Sequence, residues 1–275
     1  MSDQFQKILD TNGNSHHARV VSAFRALDWQ ALVSPYYSDN FTNKAREIDV
    51  IAEKDHPAED MVDRYAPIRT RLFLECKYIP QETVLWFDNK DMTRTSDLID
   101  SMFGAETKRY TQERINYTYG EDVAVAKLFG STSKNSENES LATAINQCLN
   151  ALIYYRNETT APVPGGMGLS TTLSYPVIVC NSFDNFRKAS MLDSKIPLEE
   201  VTQPFQLEVN YAYLDEKKKP QNEFFLIDVI TIDQIAQYTQ ELKKKDVLQA
   251  AQMVIRSSYS QSQQESENYD PYSSL

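Results

Sequence analysis

The sequence predicts an α/β fold: a central mixed β-sheet flanked by helices on both faces, with a helical insertion after the third core strand. Three observations carry this expectation. RLFLECKYI, residues 71–79, puts apolar side chains on both alternating faces, as a central strand covered from both sides requires. ESLATAINQCLNALIYY, residues 139–155, repeats apolar residues at helical spacing through Leu141, Ile145, Cys148, Leu149 and Leu152. YPVIVCNS then reads as a further buried strand. With 275 residues, 41% of them hydrophobic, the chain has material for one large core.

Taken in order, residues 15–33 read as a helix, with a stripe at Val20, Val21, Phe24, Leu27 and Leu32 and a cap at Asn14 or Ser15. SPYYSDNFTNKA follows as a loop or a first edge strand. REIDVIA, residues 46–52, is a short apolar strand carrying Asp49. An acidic stretch, EKDHPAEDMVDRYAP, separates it from the strand of Glu75 and Lys77, and ETVLWFD is another strand. Residues 91–131 read as mostly helical with a turn near Tyr119–Gly120, and SKNSENES closes this insertion, around 91–138, as a polar linker. Its Lys108, Arg109 and Arg114 read better as solvated helix faces than as a phosphate track.

Ser136 with Glu139 matches a capping box at the start of the 139–155 helix. TAPVPGGMGLSTTL is a loop, and its GGMG lacks the Gly-Lys-Ser/Thr of a phosphate-binding loop. QLEVNYAYL and EFFLIDVIT form a hairpin with a basic tip at Lys217, Lys218 and Lys219, read as a solubilising turn. A last helix bends near Lys243–Asp246. One domain is expected over 1–255, and the polar tail 256–275 is expected to be disordered.

Ionised side chains are costly to bury without partners. Asp49, Glu75 and Lys77 on apolar strands therefore ask for a reason. Glu75 and Lys77, two apart, share a strand face with Phe73 and Ile79, while Leu72, Leu74, Cys76 and Tyr78 take the other. Two carboxylates on adjacent strands suit a hard divalent cation, and a lysine beside them suits a water or a phosphate. A lone E-x-K on a strand would more often be a plain buried ion pair. The preceding Asp-bearing strand and the apolar context turn that balance toward phosphodiester hydrolysis.

Asp49 followed by Glu75-Cys76-Lys77 resembles the PD-(D/E)xK nuclease superfamily, with the restriction-endonuclease-like fold, in its Mrr-like or Holliday-resolvase-like form. The likeness covers residues 15–90 well and 139–190 loosely. Glu47 and Ile48 stand where the pattern has a proline before the aspartate, and the gap to Glu75 is long. The resemblance implies Mg²⁺ or Mn²⁺ held by Asp49 and Glu75, with Lys77 assisting the attacking water. It implies a supporting role for Gln147 on the 139–155 helix, with a solvated glutamine as the plain alternative. It also puts His17 where relatives carry a metal-facing helix glutamate, as a third candidate ligand; capping or solvating the helix start is an equal alternative.

Three histidines argue against a zinc or HNH-type site, and Cys76, Cys148 and Cys180, with no CxxC, read as free core thiols of a reducing cytoplasm. No signal pattern or spanning apolar run is visible, so no membrane is expected. The net charge of −11 counts against simple DNA binding; the segment from Arg256 holds Glu265, Glu267 and Asp270 against one arginine, leaving −9 on the rest. The expectation is a metal-dependent endonuclease acting on DNA, in restriction or anti-phage defence. A partner protein or activator would supply affinity, and a homo-oligomer would supply two sites for two strands. The alternatives are a nuclease-fold binding or regulatory subunit of a larger assembly, and a repair enzyme or resolvase of branched DNA.

Overall fold

The computed structural model describes residues 13–56, 68–103, 117–131, 139–156, 172–192 and 197–252. Its first helix, α1 (Gly13–Ala26), leads into β1 (Gln30–Val33) and a small hairpin of β2 (Tyr36–Ser38) and β3 (Ala45–Glu47). The strands β4 (Val50–His56), β5 (Ile68–Lys77) and β6 (Thr83–Asn89) come next, then α2 (Met92–Phe103) and β7 (Ala124–Ser131). After them run α3 (Glu139–Tyr155), β8 (Thr172–Cys180), β9 (Phe186–Ser190) and β10 (Glu199–Glu200). The long hairpin β11 (Phe205–Leu214) and β12 (Pro220–Thr231) is followed by α4 (Ile235–Leu242).

Ten strands form one mixed sheet in the order β1-β4-β5-β8-β12-β11-β7-β6-β9-β10. The expected α/β class with a mixed central sheet is thus what the chain forms. β4 lies antiparallel to β5, and β8 runs parallel to β5 with Glu75 opposite Ile178 and Lys77 opposite Cys180. That parallel pairing needs a crossover, and α3 is part of it. Its Leu141, Cys148 and Leu149 are fully buried in a core that includes Phe73, Ile178 and Ile227 on one face of the sheet. The other face is covered by α1, α2 and α4 through Val20, Phe24, Ile99 and Ile235, against Leu72, Leu74 and Val177. The expected alternation therefore puts Phe73 and Ile79 in the first core and Leu72, Leu74 and Cys76 in or against the second, while Tyr78 is exposed.

Two expected elements are corrected. The 15–33 helix ends at Ala26, because Asp28 takes a left-handed conformation (φ 60) and Trp29 N–H returns to Phe24 O at 3.1 Å. Aspartate tolerates that conformation better than most residues. The Trp29 ring then packs on Phe24 and His56, and Gln30–Val33 pairs with β4 as an edge strand. Likewise the 91–138 insertion is not helical at its described 124–131 part: Ala124–Ser131 is a strand that pairs with β6 and touches β11. Tertiary pairing overrides helix-compatible composition in both places. Lys108, Arg109, Arg114, Ser136, the GGMG run and the 256–275 tail lie outside the described residues.

The bend expected near Lys243–Asp246 is a single π-helical stretch, Lys243–Val247. It turns Asp246 inward, where the side chain is 2% exposed. Thr118 N–H and the Tyr175 hydroxyl donate to its two oxygens, each at 2.7 Å. Burial pushes its pKa up to about 6, so it is ionised at neutral pH and depends on those donors. Tyr175→Phe, which removes one donor at constant shape, is expected to cost about 1.5–3 kcal/mol at neutral pH. The loss should shrink below about pH 6, where Asp246 is protonated. Urea titrations of both proteins across pH check this.

Candidate active site

Asp49 does not lie within a ladder, as the sequence had suggested; it occupies the bend between β3 and β4. Two backbone bonds shape the bend, Ser34 N–H to Asp49 O at 2.9 Å and Ile48 N–H to Pro35 O at 3.1 Å. Leaving the ladder has a chemical result. The Asp49 N–H is free of strand pairing and donates to Glu75 Oε1 at 3.4 Å, while Asp49 Oδ2 accepts from Cys76 N–H at 2.8 Å. Each carboxylate thus accepts from the other's neighbourhood, Glu75 from the Asp49 backbone in the bend and Asp49 from the Cys76 backbone of β5.

Glu75 is 0% exposed. Burial raises its pKa, the nearby Asp49 charge raises it further, and Lys77 opposes both; the result is about 7. Lys77 Nζ lies 2.7 Å from Glu75 Oε2, and its side chain keeps 20% exposure. Burial works against the lysine's charge, but Glu75 and then Asp49 outweigh it, so its pKa is raised. Lys77 is therefore a charged ammonium on a side chain that keeps part of its surface in solvent.

Gln147 joins the site from α3. Lys77 Nζ donates to its Oε1 at 3.3 Å, and its own Nε2 donates to Glu47 O at 3.4 Å. The amide therefore steadies the ammonium and ties it to β3. Gln147→Ala is expected to loosen Lys77 without unfolding α3, since Gln147 is half-buried beside Cys148 and Leu149, which carry the packing. Were the site to turn over a substrate, a fall of about tenfold in kcat with KM little changed would be the signature of lost positioning.

Asp49, Glu75, Lys77 and Gln147 are thus brought together. His17 is half-buried on α1, and its Nε2 is buried with no hydrogen-bond partner among the described residues. Its neighbour His16 has the clearer link to the site. His16 Nε2 lies 2.9 Å from Val179 O, and the ring senses the Asp49 charge. Burial is nonetheless the main influence and lowers its pKa, which favours a neutral imidazole. Tyr37 of β2 is a further neighbour that no sequence pattern marks: it is buried, and burial first, then Glu75, raise its pKa. Asn181, just past β8, accepts from Ile79 N–H at 3.3 Å and donates its own N–H to Lys77 O at 3.2 Å, fixing the end of β5.

Among the described residues no group of three or more His, Cys, Asp or Glu side chains converges on a metal position. Asp49 and Glu75 nevertheless fit a magnesium-like ion, which needs only one or two protein carboxylates and keeps water or substrate oxygens at its other positions. The mutual repulsion that helps hold Glu75 near pKa 7 is the stress a cation between them would relieve. Cys76 and Cys148 sit beside the site, but burial raises both thiols well above their ordinary range, so neither is a nucleophile at neutral pH. No protein-family model, curated protein or solved structure matches the chain.

Proposed function

We propose that the chain is a divalent-metal-dependent endonuclease that hydrolyses phosphodiester bonds of DNA. The observation that carries this reading is the junction of Asp49 and Glu75 beside a solvent-reaching Lys77 held by Gln147. The resemblance of Asp49 and Glu75-Cys76-Lys77 to the PD-(D/E)xK pattern points the same way. Asp49 and Glu75 would hold Mg²⁺ or Mn²⁺, and the bound ion would polarise the scissile phosphate and lower the pKa of water. The chain's own contribution is to place Lys77 where it orients that water and offsets charge on the phosphate. Gln147 fixes the ammonium, and the apolar surroundings of β5 strengthen every charge interaction. A homo-oligomer would present two such sites to two strands.

The test is nicking of supercoiled plasmid with Mg²⁺ or Mn²⁺ by wild-type protein, Asp49→Ala and Glu75→Gln. Metal-dependent nicking lost in both variants supports the reading; nicking that survives Asp49→Ala removes it. The net charge of −11 favours a second reading, a nuclease-fold subunit that acts only within a larger assembly, whether in anti-phage defence or elsewhere. In that case the isolated protein nicks nothing, and cleavage appears when products of neighbouring genes are added. Under either reading the isolated protein is expected to bind random duplex weakly, which fluorescence anisotropy against salt would measure.

A further inference from the structure

A cavity of about 520 Å³ lies in the other half of the sheet, between the segment leading into β11, the end of β12 and helix α4. Asp228 and Gln206 line it, at 5% and 8% exposure. Gln206 Nε2 donates to Asp228 Oδ1 at 3.0 Å, and the Tyr238 hydroxyl donates to Oδ2 at 2.8 Å. The first bond fixes how the amide is turned, because a flipped amide would set oxygen against oxygen. Gln206 Oε1 is left buried with no hydrogen-bond partner among the described residues. An acceptor of that kind costs free energy unless a donor arrives.

The charge around the cavity is net negative, with one of its carboxylates, Glu200, 3.8 Å from Arg187. Glu121, Glu199, Glu200, Glu241 and Asp228 face two lysines. Both lysines are engaged: Lys245 pairs with Glu121 and Glu241, and Lys188 lies over the Phe87 ring at 5.0 Å. The buried Lys90 gives its ammonium to Tyr119 O and Glu121 O and acts on Asp228 only through space. Burial holds the Asp228 carboxyl at a pKa of about 6, so it is mostly ionised at neutral pH with no cation in contact among the described residues. The net negative charge of such a lining disfavours phosphates.

We propose that this cavity binds a small organic cation, an alkylammonium or guanidinium, whose N–H groups meet Asp228 and Gln206 Oε1 beneath the rim carboxylates. Its volume falls in the ordinary range for small-molecule sites. The proposal stands on residues separate from Asp49, Glu75 and Lys77. In the strand ladders Asp228 lies opposite Val177, which lies opposite Leu74, and Leu74 points away from the face of Glu75.

The experiment is calorimetry of the full chain, free of nucleic acid, with agmatine, which carries both an ammonium and a guanidinium. Saturable 1:1 binding is expected, with a rise in Tm set by ligand concentration. Tetramethylammonium, which has no N–H, and ADP, an anion, should not bind. Asp228→Asn should weaken agmatine at least tenfold. Because that change alters a buried group, Glu199→Gln with Glu200→Gln, both on exposed side chains, provides an independent variant that should weaken binding several-fold at low salt. Absence of agmatine binding at millimolar concentration, equal binding of tetramethylammonium, or affinity unchanged in the rim variant would overturn the proposal.

Discussion

Lys77→Ala is expected to lower metal-dependent cleavage by about 10²–10⁴-fold, the range for loss of a positioned acid–base group. The ammonium has two partners, Glu75 at 2.7 Å and Gln147 at 3.3 Å, and its side chain keeps 20% exposure. Alanine removes the group that faces the water and leaves Glu75 buried without its cation. A buried carboxylate in that position takes up a proton instead of remaining charged. The residual activity should therefore shift to higher pH, where Glu75 is ionised again. Plasmid nicking across pH, with circular dichroism to confirm folding, measures both effects. Unchanged cleavage in a folded variant would remove Lys77 from the site.

Glu75→Gln is expected to stabilise the metal-free protein above about pH 7 while abolishing cleavage. In the folded chain Glu75 keeps its proton up to about 7, against an ordinary value of 4.5. The unfolded chain releases that proton first, so stability falls as pH rises between the two values, and the whole loss is present above about 7. A gap of that size corresponds to roughly 3 kcal/mol. Glutamine cannot ionise and removes this slope. Lys77 loses an ion pair in exchange, which trims the gain to about 1–3 kcal/mol, since the ammonium can turn to solvent. Asp228 and Asp246 also titrate near 6, but they are common to both proteins and cancel in the difference. Urea denaturation with chelator over a pH series gives the result; equal slopes for the two proteins would refute it. Divalent metal should restore wild-type stability and leave the variant unchanged.

The sequence made legible those elements whose pattern has a local cause. β5, β8 and β12 are apolar on both faces, and α3 keeps its stripe from Leu141 to Leu152. Glu75 and Lys77 could be placed on one face because a strand has a period of two. What was not legible depends on distant residues. Gln30–Val33 and Ala124–Ser131 are strands because β4 and β6 lie ready to pair with them. Consecutive strands usually lie side by side, yet β8, β12, β11 and β7 separate β6 from β5. The bend at Asp49 leaves no mark in REIDVIA. His16 and Tyr37 come near the carboxylates only through the packing of α1 and β2, and no spacing rule reaches across such distances. Gln147 was legible only through resemblance.

The separation of β5 from its neighbour β8 bears on how the protein is born. Gln147 follows Lys77 by seventy residues, and the next strand of the central sheet, β12, ends only at Thr231. Contacts that span so much chain form slowly, since the intervening segment must be gathered first. A growing polypeptide therefore carries Asp49, Glu75 and Lys77 long before it has the helix that steadies the lysine or the strand that covers the open edge of β5. The site is therefore expected to be completed late in folding, which hydrogen exchange pulsed during refolding would measure. Fragments released early from the ribosome hold its charged residues without the arrangement that brings them together.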